Sequence, residues 1–164
     1  MNVVPYEVFI AIKKALINSG DFEYVGNYPY DVKKAIGNVQ NTKSTDYAVA
    51  IIEDGDESQS DGIFSAAGYN EISYDIAITF IINKNKGTVL KKLHDYETII
   101  KNIMSSKSTY SDFYGKICSE FVSVEKGTLI DMIEAENLIG YAESMSGRRI
   151  NYRITMQVDQ YGSC

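Results

Sequence analysis

A chain of 164 residues and 18.3 kDa is about one domain long, enough to bury roughly 68–70% of its unfolded surface around a single core. Its two cysteines, Cys118 and Cys164, are too few and too far apart for a disulfide framework or a zinc site, and no apolar run reaches the roughly 18 residues of a membrane helix. A formal net charge of −6 with scattered lysines and arginines leaves no electrostatic footprint for phosphate, which disfavours sequence-independent nucleic-acid binding.

Met1–Gly20 reads as the first helix, with Pro5 suited to its first turn and Gly20 placed to stop it. Val8, Ile12, Ala15 and Leu16 form a core stripe, and Tyr6, Ile10 and Ile17 form a second apolar line beside it. A small monomer needs only one such stripe, so the second is a candidate contact with another subunit. Asp21–Lys43, rich in Tyr, Gly and Asn, reads as an irregular excursion with at most a short helix around Val32–Ile36. Tyr47–Glu53 then reads as a short buried strand.

Asp54–Gly68 is acidic and rich in small residues, which predicts a long mobile loop or hairpin tip dividing two strands. Asp54, Asp56, Glu57 and Asp61 are hard oxygen ligands in principle. A calcium-binding loop counted from Asp54 would need Gly at its sixth position and an acid at its twelfth, but Gln59 and Ser65 stand there.

The sharpest pattern follows. Ile72, Tyr74, Ile76, Ile78, Phe80 and Ile82 alternate along one strand face, Asn83–Gly87 makes a polar turn, and Val89, Leu93, Tyr96, Ile100 and Ile103 recur at helical spacing. Ser106–Lys116 reads as a connection, Ile117–Val124 as a strand and Glu125–Thr128 as a turn. Leu129–Tyr141 fits either a short helix or a strand. Ser144–Gly147 reads as a break, Arg148–Val158 as the closing strand, and residues 159–164 as a flexible tail. The expected fold is a single α+β domain over 1–164, with a mostly antiparallel sheet and two main helices packed on one face.

Catalytic chemistry has no evident carrier. His94, the one histidine, falls on the polar side of its helix with Lys91, Thr98 and Lys101, without the neighbouring nucleophile of a triad or a second histidine to share a metal. Glycines occur singly, so no phosphate-cradling loop joins a strand to a helix. Acid pairs such as Glu134 and Glu136 are common in an acidic chain and do not indicate acid–base work. The expectation is a non-enzymatic protein without cofactor or metal. Thirteen tyrosines and no tryptophan suit half-buried strand faces and contacts between subunits, although a codon bias toward Tyr, Ile, Lys and Asn would give the same composition.

The N-terminal helix ending near Ser19, the Ile72–Ile82 strand turning into the Val89–Met104 helix, and the late strand Gly147-Arg148-Arg149-Ile150-Asn151-Tyr152-Arg153-Ile154 span most of the chain. In pattern and size this arrangement resembles the tail terminator and tail-completion proteins of tailed phages and phage-tail-like bacteriocins. The resemblance implies a small α+β subunit that forms a homohexameric ring at the head-proximal end of a tail tube, stops tube growth and offers a docking surface to the neck. Expected partners are further copies of itself, the tail tube protein, and sheath and neck proteins. No membrane is implied, and DNA would pass through a ring whose net negative charge does not hold it. The expected location is a virion or tail-like particle assembled in a bacterial cytoplasm.

On this reading Tyr6, Ile10 and Ile17 pack subunits together, Arg148 and Arg149 pair with acids across the subunit boundary, and Asp54, Asp56, Glu57, Ser58, Gln59 and Ser60 meet the tube or line the lumen. Two alternatives stand beside it. One is a head-closure or neck adaptor of similar size and ring habit, and the other is a ferredoxin-like regulatory domain enclosing a small ligand on its sheet face.

Overall fold

Val8, Ile12 and Leu16 recur four residues apart and are fully buried on one side of helix α1 (Val4–Asn18). The helix stops where Ser19 donates its N–H to the Ala15 carbonyl (3.0 Å) and its hydroxyl to the Leu16 carbonyl (2.8 Å). Gly20 then takes a positive φ of 74°, the left-handed geometry that favours glycine after a helix. The computed structural model describes residues 4–41, 48–60, 69–83, 89–110, 122–131 and 145–159. Strand β1 (Tyr24–Asn27) follows α1, and a cis Tyr28–Pro29 bond leads to helix α2 (Val32–Asn41). Asp31 stands just before that helix: its carbonyl accepts the Ala35 N–H at 2.9 Å, and its carboxylate reaches back to accept the Asn27 N–H of β1 at 2.8 Å.

The remaining elements are β2 (Ala48–Ser60), β3 (Tyr69–Asn83), α3 (Val89–Ser105), a 3₁₀ turn (Lys107–Tyr110), β4 (Val122–Asp131) and β5 (Met145–Asp159). The strands form one five-stranded sheet in the order β1-β2-β3-β5-β4. β1 pairs with β2 in parallel, from Tyr24 opposite Val49 to Asn27 opposite Ile52. The other three pairings are antiparallel. A parallel pair needs a crossover, and α2 supplies it.

Period-two alternation divides the sheet into two faces. Ala48, Ala50 and Ile52 of β2, Tyr74, Ile76, Ile78, Phe80 and Ile82 of β3, and Ile150, Tyr152 and Ile154 of β5 pack with α1 and with Leu93, Ile100 and Met104 of α3. Tyr96 joins them, its ring 5.6 Å from Phe22 and 6.0 Å from Phe80 between centroids. Each large side chain so buried contributes about 1.5–3 kcal/mol. On the opposite face a smaller cluster joins Ala35, Ile36 and Val39 of α2 to Val49, Ile51 and Ile81.

The fold is α+β, with α1 and α3 on one face as expected, but several expectations change. The sheet is mixed rather than mostly antiparallel, because β1 adds in parallel at one edge. The expected excursion at Asp21–Lys43 contains β1 and a full helix, α2, which covers the second face. The expected loop over residues 54–68 is strand as far as Ser60; residues 61–68 lie outside the described residues. Residues 125–128 are not a turn but part of β4, where the register shifts between Lys126 and Leu129. Leu129–Asp131 is strand, while the rest of the ambiguous 129–141 segment lies outside the described residues. β5 begins at Met145, inside the expected break, and ends at Asp159, the first residue of the expected tail. Residues 160–164 are outside the described residues.

Candidate functional site

At about 100° per residue, Tyr6, Ile10 and Ile17 project from the side of α1 opposite Val8, Ile12 and Leu16. They are exposed by 65%, 39% and 53%. Lys14 is exposed beside them, and Lys13 is half-buried. The two apolar stripes foreseen in the sequence are therefore on opposite sides of one helix, one filling the core and the other unused by the subunit's own core.

Asp54, Asp56, Glu57, Ser58, Gln59 and Ser60 form the far half of β2. Asp54 accepts the Tyr74 hydroxyl as a hydrogen bond, which ties the start of this segment to β3. A register shift between Asp54 and Glu57 inserts one extra residue against β3, after which Glu57, Ser58, Gln59 and Ser60 pair with Tyr74, Ser73, Ile72 and Glu71. Gly55 permits that bulge: a Cβ there would stand 2.5 Å from the Asp75 carbonyl oxygen.

Arg148 and Arg149 point to opposite faces of β5, and each finds an acid in its own chain. Arg148 donates to Glu97 of α3 at 2.9 Å, both side chains only 14% exposed. Arg149 donates to Glu53 of β2 at 2.6 Å. Both arginines thus already hold acids of their own subunit, because the strand register carries them to partners too distant in sequence to be anticipated. On the Arg149 face, Arg153 also holds Asp75 at 3.0 Å, opposite it in the β3–β5 ladder. Near Arg148, the buried Tyr152 hydroxyl has no hydrogen-bond partner among the described residues. Burial, then the nearby Glu97 charge, pushes its pKa well above the ordinary tyrosine range.

The sheet edges were not anticipated. β1 accompanies β2 only as far as Ile52. Beyond it, among the described residues, no strand lies beside the outer edge of β2 from Glu53 to Ser60, nor beside the outer edge of β4. Sequence alone held one signal for this, the brevity of any strand that could fit between Gly20 and Pro29.

His94 is exposed on α3. Among the described residues no group of three or more His, Cys, Asp or Glu side chains is placed to hold a metal, and no helix is long and apolar enough to cross a membrane. Neither a protein-family model nor a curated protein sequence matches the chain.

Proposed function

We propose that this chain is a structural ring subunit that caps the head-proximal end of a phage tail or phage-tail-like tube, stops its polymerisation and presents a docking surface to the neck. The observation that carries this reading is the outward apolar face of α1. Tyr6, Ile10 and Ile17 are large, exposed and aligned over three helical turns, on a helix already anchored by its opposite side. Such a face marks a protein contact. A rigid sheet with helices on both faces suits a part whose task is to hold contact surfaces at fixed angles.

In this assembly the subunit associates with copies of itself as a homohexamer. The Asp54–Ser60 half of β2, an acidic strand rather than the expected loop, meets the tail tube or lines the lumen. Sheath and neck proteins are further neighbours, and DNA passes a wall that does not bind it. The particle assembles in the bacterial cytoplasm, and no catalysis or cofactor enters.

Deletion of the gene in the producing phage or bacterium, followed by electron microscopy of the particles, tests termination directly. Tails longer than wild type are expected. Tails of normal length that lack heads would assign the protein to the neck instead, and unaltered particles would remove it from the tail altogether.

A further inference from the structure

We infer that copies of this chain join sheet edge to sheet edge, the outer edge of the first half of β4 (Val122–Lys126) in one subunit adding as an antiparallel strand to the outer edge of the far half of β2 in the next. This deepens the ring reading and rests on it only for closure of the array.

Strand direction is the first support. β2 and β5 run one way and β3 and β4 the other, so β4 of one copy set beside β2 of the next repeats the antiparallel alternation already present inside the subunit. Height is the second. Following the rungs across the sheet, Gln59 is level with Ile72, Met156 and Val122, and Glu57 with Tyr74, Ile154 and Val124. The stretch of β2 left uncovered by β1 is thus level with the first half of β4.

Hydrogen-bond phase is the third support. The carbonyls of Ala48 and Ile52 point to the outer side of β2, where they accept the Glu23 and Tyr28 N–H groups at 2.8 and 2.9 Å. Main-chain groups alternate sides along a strand, and the extra residue between Asp54 and Glu57 switches the phase, so Glu57 and Gln59 direct theirs outward. Carried across the ladders, the same alternation turns Ser123 and Glu125 toward β5 and leaves Val122, Val124 and Lys126 facing outward. Groups on the two edges that have no strand partner among the described residues therefore stand at equal heights: Glu57 matches Val124 and Gln59 matches Val122. The bulge decides which residues stand there: without it Asp56 and Ser58 would take these outward positions. Residues on one rung share a sheet face, so α1 and α3 stay on the same side in every copy. A contact between two different edges is heterologous, the kind that closes into a ring when the rotation per subunit permits.

In this register Ser58 lies opposite Ser123 in a non-hydrogen-bonded pair, where Cα atoms approach to about 4.5 Å and a disulfide fits. The test uses full-length protein with Cys118→Ser and Cys164→Ser, adding Ser58→Cys and Ser123→Cys together, with Asp56→Cys or Ser60→Cys replacing Ser58→Cys to cover a stagger of two residues either way. Circular dichroism checks folding, and light scattering of the wild type runs in parallel. At least one pair is expected to give a ladder of covalent oligomers on a non-reducing gel that dithiothreitol collapses, and the matching single variants, mixed, should stop at dimers. Ser58→Cys alone linking as completely as the pair would show β2 pairing with itself and overturn the inference. No linkage in any pair while the wild type forms rings would overturn it and leave the ring reading standing. No linkage and no association would remove both, whereas a ladder built on open filaments would keep the edge contact and reject the ring.

Discussion

Arg148 and Glu97 meet between β5 and α3 with most of both side chains out of water. Removing one partner of such a pair leaves a charge without compensation, which costs about 3–5 kcal/mol. Glu97→Gln is expected to destabilise the fold by about 3 kcal/mol in chemical denaturation. Asp95→Asn, which breaks the Lys91–Asp95 pair exposed at 80% and 54%, should cost at most about 0.5 kcal/mol. Equal effects would contradict the burial assigned to Glu97. Tyr152 lies beside this pair, its hydroxyl buried without a partner among the described residues, so Tyr152→Phe should leave stability at neutral pH unchanged or raised. Its folded pKa lies above the unfolded value of about 10. Above pH 10 the unfolded chain therefore releases a proton that the folded chain retains, and stability falls as pH rises. Tyr152→Phe should flatten that alkaline loss, and urea midpoints between pH 9 and 11, within the variant's folded range, read it. Tyr24, raised by burial and by Asp31, has the same sign and stays in both proteins. Sequence reading found the arginine pair but not its partners: contacts across 51 and 96 residues follow from strand register, which no local pattern encodes.

Helix α1 and strand β3 were legible because each has one face in the core and its period exposes that fact. Helix α2 is legible only in its first half, Val32–Ile36, and strand β1 not at all, since it is four residues long and its parallel partner lies beyond a helix. Acidic and small residues replace alternation in the far half of β2 and read as a loop or hairpin tip, and Glu125–Thr128 reads as a turn because bulges draw on the same residues as turns. On α1 the two stripes predict opposite behaviour. Ile12→Ala should cost about 2–5 kcal/mol of stability, whereas Ile17→Ser should change it by less than about 0.5 kcal/mol while weakening self-association in sedimentation velocity. If Ile17→Ser leaves association intact, the outer stripe is not a contact between copies. In β2, Gly55→Ala forces a methyl group against the Asp75 carbonyl and should cost about 1–3 kcal/mol. It should also loosen the phase of Glu57 and Gln59, lowering the yield of Ser58–Ser123 cross-linking.

The whole molecule is acidic, with a formal net charge of −6. Copies of it repel at long range. Salt shortens the screening length from roughly 30 Å at 0.01 M to about 8 Å at 0.15 M. Self-association through apolar side chains and main-chain hydrogen bonds should therefore strengthen as salt is raised over that range. Weakening instead would point to ion pairs between subunits, in conflict with Arg148 and Arg149 being held within their own chain. The central claim is that the rigid sheet and the outward face of α1 serve a closed ring. Mass photometry with negative-stain microscopy of the purified full-length protein, alone and with its tail tube, tests this most directly. A single closed homohexameric ring seated on one end of the tube is expected, and a protein that stays monomeric at high concentration and leaves tube ends bare would contradict the ring.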